Sequence, residues 1–84
     1  QSLDYVPGEI IVKLKPLKKG SQVSSSQAGQ FLGKIQGKFS LKHSHSRLGV
    51  HALKLNSKAG LNMDQALAEL RADPEVEYAE PNFI

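Results

Sequence analysis

Alternation of apolar and polar residues predicts four β-strands along the chain. The clearest is Gly8–Lys15, which follows Pro7 and stops at Pro16. Its residues expected to face a core are Ile10, Val12 and Leu14, and those on the other side are Ile11, Lys13 and Lys15. The later strands are expected to begin at Phe39, to run from Val50 to Leu55 and to run from Val76 to Glu80, with residues 43–49 as a hairpin connection between the second and third.

Apolar residues at helical spacing predict two helices. The first lies between the serines at 24–26, which are suitable N-caps, and Gly37, where it is expected to stop. The second begins with the capping-box pattern of Asn62 and Gln65 and ends at Asp73-Pro74. The apolar positions are Ala28, Phe31, Leu32 and Ile35 in the first helix and Met63, Ala66, Leu67 and Leu70 in the second.

The predicted order is βαββαβ, which is typical of an α+β, ferredoxin-like fold. Two helices would cover one face of a four-stranded antiparallel sheet and leave the other face open. The expected core is Leu14, Phe31, Leu32, Phe39, Leu53, Leu55, Leu67, Leu70, Val76 and Tyr78. The face left open would carry Ile11, Lys13, Val50, Ala52, Lys54, Glu77 and Ala79, a set too apolar for a surface that meets only water.

The 84 residues suffice for a single domain, 1–84, with 1–6 as an N-terminal extension and 81–84 as the start of a C-terminal tail. There is no cysteine, so disulfides, thiolate zinc sites and cysteine nucleophiles are excluded. No apolar run reaches the length of a membrane span, and no signal peptide is expected within the chain. The net charge of +3 comes from dispersed lysines and permits an acidic partner without requiring one.

Residue types that could carry chemistry do not form a recognisable catalytic pattern. His43 and His45 are two apart and would share one face of a strand, but a metal site would need His51 from beyond a predicted turn. The serines lie where a helix cap is needed, and no nucleophile elbow or phosphate-binding glycine motif is present. The sequence therefore predicts no enzyme, no metal and no cofactor.

A positively charged ferredoxin-like sheet also suggests RNA binding as an alternative function. In such modules, bases stack on aromatic residues of the open face. The aromatic residues are Tyr5, Phe31, Phe39, Tyr78 and Phe83. Since Phe31, Phe39 and Tyr78 are expected to point inward, the sequence does not favour nucleic-acid binding.

Three stretches, PGEIIVKLK, DQALAELRADP and VEYAEPN, resemble the propeptide of subtilisin-like serine proteases, a domain type that also occurs as stand-alone inhibitors. The resemblance implies an intramolecular chaperone and inhibitor whose open sheet face packs on two surface helices of the protease. It also implies that Glu80 and Asn82, the latter where aspartate is common, cap the N-termini of those helices. Propeptides of the best-known bacterial type extend further into the substrate cleft, so Phe83 and Ile84 are expected to begin that tail.

The resemblance thus implies a secreted or cell-envelope protein that is a monomer when free and binds a subtilisin-like protease domain, without nucleic acid or membrane. An open alternative is a regulatory module that binds a small ligand or another protein through the same face. The residues expected to contact the protease are Ile11, Val50, Ala52, Glu77, Ala79, Glu80, Pro81, Asn82, Phe83 and Ile84.

Overall fold

The computed structural model describes residues 5–18, 20–45 and 49–83. Its elements are β1 (Tyr5–Leu14), α1 (Ser25–Ile35), β2 (Phe39–His45), β3 (Val50–Leu55), a short 3-10 helix (Ser57–Ala59), α2 (Met63–Arg71) and β4 (Val76–Phe83). The four strands form one antiparallel sheet in the order β2-β3-β1-β4. The predicted α+β, βαββαβ architecture is therefore confirmed.

Both helices pack against the same face of the sheet. Phe31 of α1 and Leu70 of α2 are buried in one apolar cluster with the inward-facing strand residues. Of the predicted core, Leu14, Phe31, Phe39, Leu53, Leu67, Leu70 and Val76 are buried, and Leu32 and Leu55 pack partly buried against them. The core lies between this one face of the sheet and the apolar stripe of each helix. The amphipathic pattern therefore sufficed to predict the fold.

The helix starts follow the predicted capping chemistry. The N–H of Gln65 donates to Asn62 Oδ1 at 2.8 Å, and the N–H of Asn62 donates to Gln65 Oε1 at 3.0 Å, which completes the capping box. Ser24 caps α1 by accepting from the N–H of Gln27 at 3.0 Å. Helix α1 ends at Ile35, two residues before the predicted stop at Gly37, which does not adopt the left-handed conformation.

A β-bulge in β4 changes which residues face the core. Lys13 pairs with Tyr78 and Leu14 pairs with Val76, so Glu77 is an extra residue with no partner on β1. One extra residue shifts the alternation of side chains by one position, because successive strand residues point to opposite faces.

Two predicted orientations are wrong as a result of this bulge. Tyr78 was expected in the core but is 39% exposed on the opposite face, beside Lys13. Ala79 was expected on the open face but is buried in the core, opposite Val12. The small methyl of Ala79 suits this position between the sheet and α2, whose Arg71 Nε donates to the Ala79 carbonyl at 2.9 Å.

Strand β2 is longer than predicted and contains two of the three histidines. His43 pairs with Ala52 and His45 pairs with Val50, so these histidines lie in the strand and not in the connecting hairpin. A register shift between Leu41 and His43 marks a second bulge, at Lys42. Residues 46–48 of the predicted connection lie outside the described residues.

The third histidine, His51, faces the core side of the sheet and is 1% exposed. Its Nδ1 shares a hydrogen bond of 2.5 Å with the Ser44 hydroxyl, and its Nε2 has no partner in the described part of the chain. Burial lowers the pKa of His51 below its ordinary value of 6.5, because a buried imidazolium would lose its hydration.

We expect the folded domain to lose stability as the pH falls below about 6.5 because of His51. Below that pH the unfolded chain binds a proton at His51 that the folded chain does not, so the free energy of unfolding decreases by up to about 1.4 kcal/mol per pH unit. Urea unfolding of wild type and His51→Gln across this range measures the effect, which should disappear in the variant. An unchanged slope in His51→Gln would contradict the assignment.

Candidate functional site

The sheet face opposite the helices, here called the open face, is not covered by any described element. Cross-strand pairing arranges its side chains in rows that run from β2 across β3 and β1 to β4. The rows are His45, Val50, Lys13 and Tyr78; then His43, Ala52, Ile11 and Glu80; then Ser40, Lys54 and Glu9, with Asn82 bonded to Glu9. The central positions are thus apolar or small, and charged groups surround them.

The apolar centre of the open face consists of Ile11, Val50 and Ala52, each half-buried. A groove of about 420 Å³ lies over these residues and is bounded by Glu9, Lys42, His43, His45 and Asn82. Because its floor is apolar and its rim is polar, the groove suits a protein surface that buries apolar side chains at its centre.

Among the described side chains, Glu9 has the only buried carboxylate of the open face, and the residue is 7% exposed. Its Oε2 accepts from Lys42 Nζ at 2.5 Å, and its Oε1 accepts from Asn82 Nδ2 at 3.1 Å. These hydrogen bonds, the one from Lys42 first, lower the pKa of Glu9 and keep its carboxylate charged. Alternation from Ser40 and Leu41 places Lys42 on the same side as Glu9, and the bulge keeps the next residue, His43, on that side as well.

His43 and His45 form an edge-to-face pair on the open face, with ring centroids 4.5 Å apart and ring planes at 80°. The shared face predicted for these two residues is confirmed. His51 lies on the opposite face of the sheet, so the three histidines do not converge. Within the described residues no group of three or more histidine, aspartate or glutamate side chains is arranged to hold a metal ion.

The β4 edge of the open face is acidic. Glu77 lies at the bulge and forms a 3.4 Å ion pair with Lys13. Glu80 is exposed opposite Ile11, and no side-chain bond of Glu80 occurs within the described residues. Tyr78 adds one exposed aromatic ring here, whereas Phe31 and Phe39 are buried, so the open face offers less aromatic surface than a base-stacking platform has.

The last strand continues past its predicted end at Glu80. Pro81 pairs with Ile10 and Phe83 pairs with Tyr5, so the segment after Glu80 is held in the sheet as far as Phe83. Proline is tolerated there because β4 is an edge strand, whose outer side needs no N–H donor. The next residue, Ile84, lies outside the described residues.

The structure brings together most but not all of the residues expected in the site. Those that lie on the open face are Ile11, Val50, Ala52, Glu77, Glu80 and Asn82. Ala79 is removed from the set because it is buried in the core, and the register places Pro81 on the core side, opposite Ile10. Sequence reasoning missed Glu9 and Tyr78. Alternation with Ile11 and Lys13 assigns Glu9 to the correct face, but no local pattern reveals its bond to a residue 73 positions away.

A comparison with known protein families supports the resemblance noted in the sequence. Residues 1–82 match the sequence model of the fervidolysin N-terminal prodomain. No curated protein and no solved structure gave a significant match. No helix in the described part of the chain is long and apolar enough to cross a membrane.

Proposed function

Because the chain belongs to the fervidolysin N-terminal prodomain family, a family of subtilisin-like protease propeptides, we propose that it assists the folding of a cognate subtilisin-like serine protease domain and then inhibits it. The observation that carries this proposal is the apolar centre of the open face, where Ile11, Val50 and Ala52 are half-buried and no described element covers them. A surface of this kind is stabilised when a partner removes it from water.

The partner surface that fits the open face is a pair of helices of the protease domain. Helices packed on a sheet place apolar side chains against the middle strands, here β3 and β1, and small Ala52 permits a close approach. Such packing would stabilise the protease helices in their native arrangement and so lower the barrier to folding. This role needs no catalytic group in the propeptide.

Glu80 and Asn82 would cap the N-termini of those helices. A helix N-terminus presents N–H groups without partners and a partial positive charge, both of which a carboxylate or amide oxygen satisfies. Glu80 is exposed on the open face and free of any side-chain bond in the described part of the chain, so its carboxylate is available.

The tail that would enter the substrate cleft begins at the end of β4. Since pairing with β1 holds the backbone as far as Phe83, the strand would aim the following residues in a fixed direction from the open face. We propose that Phe83 and Ile84 start this tail, that the protein is exported with its protease, and that the free domain is a monomer.

An inhibition assay tests the proposed function. The chain should slow hydrolysis of a chromogenic peptide by a subtilisin-like protease and should increase the yield of active enzyme when the denatured protease domain is refolded in its presence. The alternative is a regulatory module that binds a small ligand or another protein in the groove; it predicts neither effect.

The contribution of the tail is tested with three chain lengths. Chains that end before Phe83, at Ile84, and several residues beyond Ile84 should inhibit with increasing strength. Equal inhibition by all three would mean that the tail does not contribute to inhibition.

Glu80→Ala should weaken binding to the protease by about 1–2 kcal/mol, the energetic scale of a lost helix cap. The melting temperature of the free domain should stay nearly unchanged, because Glu80 is exposed. Inhibition constants and thermal melts of the same preparations give both values. Glu69→Ala serves as the control, since Glu69 is an exposed glutamate on α2, on the other side of the sheet, that pairs with Lys38. Equal inhibition by wild type and Glu80→Ala would contradict the capping role.

A further inference from the structure

We propose that Glu9 is a positioning residue for partner binding: it orients the amide of Asn82 so that the amide oxygen is presented to the protease. This inference rests on the proposed function and extends it to a residue on a different strand. It starts from the contact between Asn82 Nδ2 and Glu9 Oε1, 3.1 Å long, at the rim of the groove on the open face.

The chemistry of the two groups determines which end of the amide faces Glu9. An ionised carboxylate can accept hydrogen bonds but cannot donate them, so it pairs with the NH₂ end of the Asn82 amide and not with its oxygen. The Oδ1 atom is then turned away from Glu9, and among the side chains and backbone groups that the structure describes no donor is bonded to it. An oxygen in that position is an acceptor available to an N–H group of a partner.

Glu9 is itself held in a single position, which makes it suitable for orienting another side chain. Its second oxygen accepts from Lys42, which also lies on the open face, and the carboxylate is largely shielded from water. The network therefore runs from β2 through β1 to β4 and ends at Asn82. Side chains fixed by supporting hydrogen bonds bind with a smaller loss of conformational entropy.

Replacing Glu9 with glutamine removes the preference for one orientation. A glutamine amide both donates and accepts, so it can pair with either end of the Asn82 amide. Glu9→Gln should therefore weaken inhibition by roughly three- to tenfold, the scale of one hydrogen bond. Replacing Asn82 with aspartate instead places two carboxylates, both of them acceptors, against each other. Asn82→Asp should lower the melting temperature by roughly 4–8 °C, the shift that accompanies a loss of about 1 kcal/mol in a domain of this size.

The double variant Glu9→Gln with Asn82→Asp is the decisive test. The glutamine NH₂ can donate to the aspartate, which restores the contact with its polarity reversed, so the melting temperature should recover. Inhibition should return at least to the wild-type level, because an aspartate presents an acceptor oxygen in either orientation and needs no positioning. Glu77→Gln is the matched control: it removes the same charge near the other end of β4, and it should not rescue Asn82→Asp.

The outcomes separate this inference from the function on which it rests. A wild-type chain that does not inhibit overturns the proposed function before any variant is compared. If wild type inhibits but Glu9→Gln inhibits equally well at full folding, Glu9 supports the fold alone and the positioning role is wrong. The same conclusion follows if Asn82→Asp lowers the melting temperature equally in the wild-type chain and in the Glu9→Gln variant, because the two side chains would then not be coupled.

Discussion

Phe31→Ala should lower the free energy of unfolding by about 3–5 kcal/mol, the range found when a buried aromatic side chain is removed. Phe31 has no exposed surface and lies in the cluster that joins α1 to the sheet. Native proteins are stabilised by only about 5–15 kcal/mol, and a domain this small lies toward the low end of that range, so the variant should lose most of its stability. Urea denaturation followed by circular dichroism measures the change.

Leu17→Ala is the control for this prediction. Leu17 is apolar too but is 78% exposed in the segment between β1 and α1, so its loss should change stability by less than about 0.5 kcal/mol. Comparable destabilisation by the two substitutions would mean that the apolar cluster around Phe31 is not the main source of stability.

The parts of the fold that could be predicted from the sequence are those fixed by local patterns. From Glu9 onward in β1 and throughout β3 the pairing of these two strands is regular, and the predicted faces of Val12, Leu14 and Leu53 match the structure. In α2 the capping residues and the apolar stripe lie within one continuous segment, so its start could be read directly.

The bulges could not be predicted, because they depend on pairing between strands that are distant in sequence. Glu77 becomes an extra residue only in relation to Lys13 and Leu14, more than sixty positions earlier. No local feature of VEYAE distinguishes a regular strand from a bulged one. The faces predicted for Tyr78 and Ala79 were therefore reversed, and Ala79, which is buried in the core, was wrongly assigned to the candidate site.

The candidate site was predictable to a similar extent. Its apolar centre followed from alternation, because Ile11, Val50 and Ala52 occupy outward positions of regular strands. Its polar network did not, because the bonds of Glu9 to Lys42 and Asn82 join three strands, and Asn82 faces Glu9 only because of the bulge in β4. Long-range polar contacts have no sequence periodicity and emerge only once the strand order and register are known.

Ala52→Arg should weaken binding to the protease by about 2–3 kcal/mol, or roughly 30- to 150-fold in the inhibition constant. Ala52 is the smallest side chain of the apolar centre and lies between His43 and Ile11 in the middle row of the open face. An arginine there would hold the partner surface away from Ile11 and Val50 and would add a cation beside Lys42 and the two histidines.

The free domain should tolerate this substitution, because the arginine can extend into water from the uncovered face. Ala68→Arg is the matched control: Ala68 is exposed on α2, on the other side of the sheet, and the same substitution there should leave inhibition unchanged. Inhibition constants, corrected for the folded fraction of each variant, measure the difference. If both variants inhibited as well as wild type, the open face would not be the binding surface, and inhibition would have to be carried by the tail after β4 alone.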